Sequence, residues 1–240
     1  MIGGFIVTGS GTQKLIVRAI GPSLAQKNVP GAMQDPVLAL HGPDGSLIVT
    51  NDNWKDAQQS AIEESKLAPT DERESAIVAT LQPGAYTAIV RGRENTTGAA
   101  LVEIYDIDAG TDAGLSNIST RGNVRTGDER MIGGFMLETG GGGDVVVRAL
   151  GRSLAQRGVQ NPLQDPTLEL RDADGERLVF NDNWNDDAAN AAAVTALGLA
   201  PTDPNESAIA VSLPRGQYTA IVSEDGDTTG VGLVEVYVVR

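Results

Sequence analysis

The residues best suited to chemistry are oxygen donors clustered in two matching loops. Each loop reads Asn-Asp-Asn-Trp, at 51–54 and at 181–184, and a second acidic loop follows each one. Carboxylate and amide oxygens on irregular backbone suit Ca²⁺, and the same side chains also cap turns without a metal. Both interpretations stay open, although the spacing matches no EF-hand. The candidate ligands are Asn51, Asp52, Asn53, Asp71, Asn181, Asp182, Asn183 and Asp203, with Glu74 and Glu206 close by in sequence.

No residue combination in the sequence is typical of a catalytic site. The single histidine, His41, is matched in the second half of the chain by Arg171. Because one repeat has an arginine at this position, His41 is not expected to be a catalytic base. The chain has no cysteine, which excludes a thiolate nucleophile, a disulfide framework and Cys-ligated zinc. We therefore expect a protein without enzymatic activity.

The two tryptophans, Trp54 and Trp184, allow two interpretations. An exposed indole ring could stack on a sugar and bind polysaccharide, whereas a buried one would pack in a core. The rings occupy matching positions in the two halves of the chain, as do most of the other aromatic residues. This recurrence favours packing.

Two arginines stand inside otherwise apolar segments. Arg18 lies within LIVRAI, and Arg148 lies within VVVRAL. A guanidinium that is buried in a strand requires a carboxylate partner. We expect these arginines to pair with acidic residues such as Glu103 and Glu235.

The charge and hydropathy of the sequence argue against nucleic acids and membranes as binding partners. The 240 residues include 18 Lys and Arg against 32 Asp and Glu, a formal net charge of −14. This negative charge repels phosphate backbones and anionic lipid, so we expect no nucleic-acid binding. No run of about 18 apolar residues occurs, and we expect no membrane insertion.

An internal repeat organises the chain. MIGGF begins at Met1 and again at Met131, and the phrases NDNW, YTAIV and TTGxxLVExY also occur twice. Equivalent residues are 130 positions apart before a two-residue insertion and 132 positions apart after it. Because Met1 falls on a repeat position, we expect the chain to begin inside a longer precursor. The sequence predicts one domain at 1–108, a second at 131–240 and a connecting segment at 109–130.

Short apolar blocks within each copy predict β-strands. Blocks rich in Val, Ile and Tyr, such as LIVRAI at 15–20, are separated by Gly, Pro, Asn and Asp. Asp-Gly pairs at 44–45 and 174–175 supply the positive φ that a tight hairpin needs. About seven such strands per copy predict an all-β fold of two tandem antiparallel β-sandwiches. One Ala-rich stretch per copy, at 56–68 and 186–200, predicts a short helix.

The connecting segment 109–130 has no counterpart before Met1. Its Gly, Ser, Thr and Asp residues fit a linker, and its LSNIST phrase also fits a strand exchanged between chains. Two repeats share one such segment, so one sandwich would lack a strand, and a bare edge is normally covered or paired. The sequence therefore predicts self-association into a homopolymer. The candidate assembly residues are Leu115, Ile118, Met1, Ile2 and Phe5.

Three Asn-X-Ser/Thr sequons complete the candidate sites. They lie at Asn95, Asn117 and Asn205. Such sequons are acceptors for N-glycosylation when they are exposed in a secreted protein, and they also arise by chance. Both interpretations stay open.

The order of the motifs resembles a known bacterial domain. The phrases DPVLAL, NDNW and ESAIVATLQPGAYTAIV are similar to those of the bacterial pre-peptidase C-terminal domain. The resemblance covers nearly the whole of both copies. It implies a jelly-roll-like β-sandwich of secreted or cell-surface bacterial proteins. Such modules accompany proteases, glycosidases and adhesins alike, so the resemblance is specific for fold and not for function.

The sequence thus predicts a non-catalytic extracellular or cell-surface protein with a structural or adhesive role. It would be the protomer of a bacterial surface filament or fibre assembled by β-strand complementation. The alternative is a Ca²⁺-binding or carbohydrate-binding accessory module of a larger secreted enzyme. An unpaired sheet edge would favour assembly, and an exposed aromatic strip would favour the accessory module.

Overall fold

The computed structural model of the chain describes residues 1–108, 113–127, 129–137, 142–226 and 228–239. The chain divides into two units, unit 1 from Met1 to Ser116 and unit 2 from Asn117 to Arg240. Antiparallel strands are the main secondary structure of both units and helices are few and short, which confirms the predicted all-β class. Of the connecting segment 109–130, residues 109–112 and 128 lie outside the described residues.

The described part of unit 1 forms two antiparallel sheets. Its strands are β1 (Ile2–Thr8), β2 (Gln13–Ile20), β3 (Pro36–His41), β4 (Leu47–Asn51), β5 (Ser75–Leu81), β6 (Gly84–Gly92) and β7 (Leu101–Asp106). One sheet joins β1, β6, β3 and β4 in that order, and the other joins β5, β2 and β7. The apolar block LIVRAI, predicted as a strand at 15–20, lies within β2.

Unit 2 repeats this arrangement and has one more strand. Strand β8 (Gly114–Val124) begins at the end of unit 1 and lies in unit 2 from Asn117 onward. The strands that follow are β9 (Met131–Leu137), β10 (Gly143–Leu150), β11 (Pro166–Arg171), β12 (Arg177–Asn181), β13 (Ser207–Leu213), β14 (Gly216–Glu224) and β15 (Gly230–Val239). One sheet joins β9, β14, β11 and β12, and the other joins β13, β10, β15 and β8.

Glycines of the repeated MIGGF phrase allow the two sheets of each unit to pack closely. A Cβ atom on Gly133 would lie 3.1 Å from Cγ1 of Val234, which comes from the opposite sheet. A Cβ atom on Gly3 would lie 2.9 Å from Cγ1 of Val102. A larger residue would push these valines out of their packed positions, so the glycine suits this close approach.

Among the described residues, each unit carries one α-helix, and both helices are shorter than predicted. Helix α1 (Gln59–Glu64) lies within the predicted 56–68, and α2 (Ala188–Ala196) lies within the predicted 186–200. Asp187 caps α2, because its Oδ1 accepts the backbone N–H of Asn190 at 2.8 Å. No helix in the described ranges is long and apolar enough to cross a membrane.

Helix α1 begins later than the sequence suggests because its acidic residue has another role. Asp56 accepts a hydrogen bond from the side chain of Asn53 at 3.0 Å and belongs to the preceding turn. The residue before α1 is Gln58, with a φ of 57° and no side-chain cap. Short 3₁₀ helices at Pro22–Lys27 and Arg152–Arg157 were not predicted.

Candidate functional site

The first asparagine of each Asn-Asp-Asn loop fixes the loop to its sheet. Oδ1 of Asn51 accepts the backbone N–H of Ala76 at 2.9 Å, and its Nδ2 donates to the carbonyl of Asn53 at 2.9 Å. Asn181 makes the two equivalent bonds in unit 2, at 3.0 and 2.9 Å. Both asparagines are buried. Their amide groups are committed to backbone partners, as the turn-capping interpretation expects.

The glutamates downstream of the helices are buried anchors. Oε1 of Glu206 accepts the backbone N–H groups of Gly151 and Ser153, at 2.8 and 2.9 Å, and the Ser153 hydroxyl at 2.6 Å. Glu74 makes the same three bonds in unit 1, and both glutamates are fully buried. These bonds tie the ESAI phrase to the GxSLA phrase, so two repeated motifs form one structural contact.

The remaining acidic candidates of the second loops also have local partners. Arg73 donates to both carboxylate oxygens of Asp71 at 2.9 Å, and this hydrogen bonding lowers the pKa of Asp71. In unit 2, Oδ1 of Asp203 accepts the backbone N–H of Asn205 at 3.0 Å. These loops are therefore braced by their own residues.

The two units differ in the charge around the central aspartate of the Asn-Asp-Asn loop. In unit 1, Nη1 of Arg93 lies 2.6 Å from Oδ2 of Asp52. The residue 132 positions after Arg93 is Asp225, so unit 2 has a carboxylate where unit 1 has a guanidinium. Burial and then Asp225 raise the pKa of Asp182. Burial, followed by Asp182 and Asp225, raises the pKa of Asp165.

The geometry gives the calcium prediction limited support. Within the described ranges, no group of three or more His, Asp or Glu side chains is arranged to hold a metal ion. Oδ1 of Asp165 and Oδ1 of Asp182 are buried without a hydrogen-bond partner among the described residues, and so are the equivalent Oδ1 atoms of Asp35 and Asp52 in unit 1. The excess of negative charge around Asp182 is what distinguishes unit 2. Calcium binding therefore stays a prediction, and unit 2 is the place to test it.

The arginines within the strands pair as the sequence predicts. Arg18 lies directly opposite Glu103 across β2 and β7, with Nη2 2.5 Å from Oε2, and Arg148 forms the equivalent pair with Glu235. Each guanidinium also lies over the ring of a tyrosine two residues beyond its glutamate, 5.2 Å away in unit 1 and 5.1 Å in unit 2. Burial raises the pKa of Tyr237, whose hydroxyl bonds with both Arg148 and Glu235. Because these groups satisfy one another, we interpret the cluster as structural.

The tryptophans are packed, which gives no support to a sugar-binding platform. Trp54 is buried, and its Nε1 donates to the carbonyl of Asp71 at 3.2 Å. Trp184 is half-buried and packs against the cluster that contains Val194 of α2. Phe180 on β12 is an exposed aromatic ring, with the guanidinium of Arg177 over it.

The single histidine braces a hairpin. Nδ1 of His41 lies 3.1 Å from the carbonyl of Gly45, whose φ is +80°. Its counterpart Arg171 donates to the carbonyl of Gly175 at 2.6 Å, and Gly175 has a φ of +83°. A histidine in unit 1 and an arginine in unit 2 thus stabilise equivalent Asp-Gly turns, at the two positions where the sequence predicts them.

The three sequons lie in different surroundings. Asn95 is exposed, with a φ of 63°, and Asn205 is half-buried. Asn117 is 6% exposed, and its Nδ2 donates to the carbonyl of Val236 at 3.0 Å. In the folded chain, Asn95 is therefore the sequon most open to modification.

The predicted assembly residues do not form one exposed surface. Phe5 is 1% exposed and stacks on Tyr86, with ring centroids 5.4 Å apart, so it is a core residue of unit 1 and not an exposed contact. Ile118 packs against the core of unit 2. The half-buried members of the set are Met1, Ile2, Leu115 and Ile118.

The last strand of each repeat has different neighbours in the two units. In unit 2, β15 pairs with β10 on one side and with residues 117–124 of β8 on the other. In unit 1, the equivalent strand β7 pairs with β2, and no second partner for it occurs among the described residues. The segment predicted as a linker or an exchanged strand thus completes a sheet of unit 2. Unit 1 has an open edge at β7.

The burial of the two strands follows this difference. Val234 and Val236 on β15 are 2% and 3% exposed. Their counterparts on β7, Val102 and Ile104, are only half-buried. Strand β15 also begins at Gly230, whereas β7 begins three residues later in the repeat, at Leu101. The missing neighbour therefore coincides with a shorter and more exposed strand.

Comparison with known proteins identifies no family. No protein-family model matches the chain, and no curated protein sequence matches it. A chain from the structure of Sulfolobus turreted icosahedral virus is similar at a TM-score of 0.29 and 10% identity, covering 98% of this chain and 85% of that one. The major capsid protein P2 from bacteriophage PM2 is similar at a TM-score of 0.25 and 11% identity, covering 98% and 90%. Scores this low assign neither a family nor a function, and the resemblance to pre-peptidase C-terminal domains stays a prediction.

Proposed function

We propose that the chain is a non-catalytic structural protein of the bacterial cell surface, whose β-sandwiches are joined to neighbouring molecules by β-strand complementation. The observation that carries this proposal is the open edge β7 of unit 1, compared with the completed edge β15 of unit 2. The two units share their motifs and strand order. In unit 2 the last strand of the repeat, β15, has β8 as a second neighbour, and in unit 1 the equivalent strand β7 has no second neighbour among the described residues.

An open edge of this kind favours assembly. It presents a row of unpaired backbone N–H and C=O groups, which another chain can pair with. The edge belongs to unit 1, and a strand that fills it belongs to a different molecule, so the two surfaces in contact differ. Contacts between different surfaces propagate as a filament unless they close into a ring.

The proposal is tested on the purified chain by sedimentation velocity and negative-stain microscopy over a range of concentrations. Ala99 bonds inward, since its N–H donates to Gly31 and its carbonyl accepts from Met33, so the N–H of Ala100 faces the open edge. Ala100→Pro removes that N–H, and Ala100→Ser is the matched control that keeps it.

We expect the wild-type chain and the Ala100→Ser variant to associate as the concentration rises and to form elongated particles. We expect the Ala100→Pro variant, with its circular dichroism spectrum unchanged, to associate more weakly. A wild-type chain that stays monomeric over the whole range would overturn the proposal.

The second candidate is a Ca²⁺-binding accessory module, and the charge of unit 2 favours it. In unit 2, Asp225 stands where unit 1 has Arg93, the residue that balances Asp52, and the pKa values of Asp165 and Asp182 are raised even though Arg152 lies near Asp165. A carbohydrate-binding role has weaker support, because Trp54 is buried and Trp184 is half-buried. Calcium titration of the chain, described in the Discussion, separates this candidate from the first.

A further inference from the structure

We infer that the open edge of unit 1 pairs with a second open edge, strand β9 of unit 2, in a neighbouring copy of the chain. The inference rests on the proposed function and adds the identity of the partner surface. Strand β9 pairs with β14 on one side, and it has no second neighbour among the described residues. Because β9 offers its other side and keeps its bonds to β14, the copy that supplies it loses no pairing.

The two open edges complement each other within the repeat. Strand β8 is the neighbour of β1 in unit 1, where the Thr8 hydroxyl donates to the carbonyl of Gly114 at 3.4 Å. In unit 2, β8 is the neighbour of β15. The equivalents of these two strands in the other unit are β9 and β7, and both lack that neighbour among the described residues. Each molecule therefore has one edge of each kind, as a row of identical copies requires.

The side chains of β9 show the same effect of a missing neighbour as those of β7. Phe5 on β1 is 1% exposed, whereas its counterpart Phe135 on β9 is only half-buried. Ile132 and Met136 are 58% and 47% exposed, and their counterparts on β1 are half-buried. The edge thus combines backbone groups that lack a strand partner with exposed apolar side chains, which favours pairing with another strand.

The other outer strands of the described sheets are less suited to pairing. The side-chain amide of Gln58 bonds to the N–H and the carbonyl of Val78 at the outer side of β5, at 3.1 and 2.8 Å. Asn190 blocks the outer side of β13 in the same way, through the N–H of Ala210 and the carbonyl of Ala208. Strands β4 and β12 each have a register irregularity against their neighbour. Such caps and bulges protect a sheet edge.

The backbone groups on the open side of β9 follow from the first bonds of the repeat. In unit 1, Met1 and Val90 exchange two backbone hydrogen bonds of 3.0 Å. The equivalent residues of unit 2, Met131 and Val222, lie opposite each other on β9 and β14. Bonding direction alternates along an antiparallel strand. The residues of β9 whose N–H and C=O groups face away from β14 are therefore Ile132, Gly134 and Met136.

The open side of β7 follows in the same way. The N–H of Ile107 donates to the carbonyl of Lys14 at 3.0 Å, toward β2. By alternation, the N–H and C=O groups at the even-numbered positions face the open edge. These positions are Ala100, Val102, Ile104 and Asp106.

An antiparallel register matches the two edges. Residues that lie opposite each other in such a pair carry their side chains on the same face of the sheet. In this register the exposed Ile132 would cover the half-buried Ile104, and a slip by one residue would turn these side chains to opposite faces. The opposed residues are Ile104 with Ile132, Val102 with Gly134, and Ala100 with Met136.

A pair of opposite charges supports the same register. It places Asp106, an exposed residue of β7, opposite Arg130, an exposed residue directly before β9. The Arg130 side chain donates to the carbonyl of Gly127 at 2.9 Å, and no carboxylate of the described residues forms an ion pair with it. Opposite charges across a strand pair stabilise it, and like charges directly opposite each other destabilise it.

The test exchanges these two charges. Asp106→Arg and Arg130→Asp each place like charges opposite each other, whereas the double variant restores an opposite pair. Equimolar mixing of the two single variants also restores it, in contacts that join one variant to the other. Sedimentation velocity measures the association of each chain and of the mixture, and circular dichroism confirms that each chain is folded.

We expect association about tenfold weaker for each single variant, and association close to wild type for the double variant and for the mixture. Asp106→Arg also reduces the net negative charge of the chain, so general repulsion between copies would fall. A nonspecific electrostatic effect would therefore strengthen the association of this variant, and the inference predicts that it weakens.

A second pair of variants leaves the bonds of Asp106 intact. Asp106 accepts hydrogen bonds from the side chain of Gln13 and from the backbone N–H of Asp108, and its substitution removes them. Gly134→Pro removes the N–H that faces the open side of β9, and Gly134→Ala keeps it. A Cβ atom at Gly134 would lie 3.9 Å from the carbonyl oxygen of Tyr218, an ordinary contact. We expect association about tenfold weaker for Gly134→Pro and nearly unchanged for Gly134→Ala.

Hydrogen exchange with mass spectrometry locates the contact in the assembled chain. We expect slower exchange within residues 100–106 and 131–137 than in the dilute chain. Association that neither the charge reversals nor Gly134→Pro weaken, or protection of β7 without protection of β9, would overturn the inference and leave the proposed function standing. A chain that stays monomeric at every concentration would overturn the proposed function, and the inference with it.

Discussion

Val124→Ala tests whether β8 is an integral part of unit 2. Val124 is fully buried in the core of unit 2, and its Cγ2 atom packs close to Gly232. The substitution removes two buried methyl groups and leaves a cavity, which costs about 2 kcal/mol. With a urea m value of about 2 kcal/mol/M for a domain of this size, the unfolding midpoint of unit 2 should fall by about 1 M.

The chain contains two tryptophans, one per unit, so fluorescence can report each unit separately. In a Trp54→Phe background, the signal comes from Trp184 in unit 2, and in a Trp184→Phe background it comes from Trp54 in unit 1. Val124→Ala should lower the midpoint reported by Trp184 and leave the one reported by Trp54 nearly in place. Asn123→Ala, at an exposed neighbour on the same strand, is the control and should change stability by less than about 0.5 kcal/mol. An unchanged Trp184 midpoint would refute the placement of β8 in the core of unit 2.

The remaining predictions concern charge. If unit 2 binds Ca²⁺ with a Kd of about 10⁻⁴–10⁻³ M, 10 mM Ca²⁺ should raise the melting temperature of unit 2 above its value in chelator. Asp225→Arg should abolish this rise. An unchanged melting temperature in the wild-type chain would argue that the loops only cap turns. Because the pKa values of Asp165 and Asp182 are raised above 3.8, unit 2 should gain stability from them as the pH falls through those values toward 3.8. Because the pKa of Asp71 is lowered, its contribution to unit 1 is present above 3.8 and should be lost as the pH falls below 3.8. The Trp184 reporter should therefore show the gain of unit 2 above pH 3.8, and the Trp54 reporter should show the loss of unit 1 below it. Arg148→Ala should lower the free energy of unfolding of unit 2 by about 3 kcal/mol in urea, because it leaves Glu235 largely buried without its partner. A smaller loss when Arg148 and Glu235 are both replaced by alanine would support this reason.

The strands, the duplication and the arginine pairs could be predicted because each depends on local pattern or on a simple need for charge balance. Alternating apolar residues marked β1 to β7, and an arginine in an apolar strand required a carboxylate, found in Glu103. The start of α1 could not be predicted, because Asp56 suits a helix cap in sequence and is used by Asn53 in the fold. The role of Glu74 was also missed, because its partners lie in a phrase far away along the chain.

The sequence also left open which unit β8 completes. Both repeats carry nearly the same last strand, and pairing between distant segments is not encoded in local pattern. The sequence feature that indicates unit 2 as the partner of β8 is Gly232, which stands where unit 1 has Ala100. Only the glycine leaves room for Val124 of β8 without a shift. That difference becomes readable once the register of β8 on β15 is known.

Amide hydrogen exchange of the dilute, monomeric chain, measured residue by residue by NMR, tests the central claim most directly. The account predicts fast exchange at Val102, Ile104 and Asp106, whose N–H groups face an open edge, and slow exchange at Val234 and Val236, whose N–H groups face β8. Equal protection of the two strands would contradict the claim that β7 is an open edge, because β7 would then be paired within the single chain.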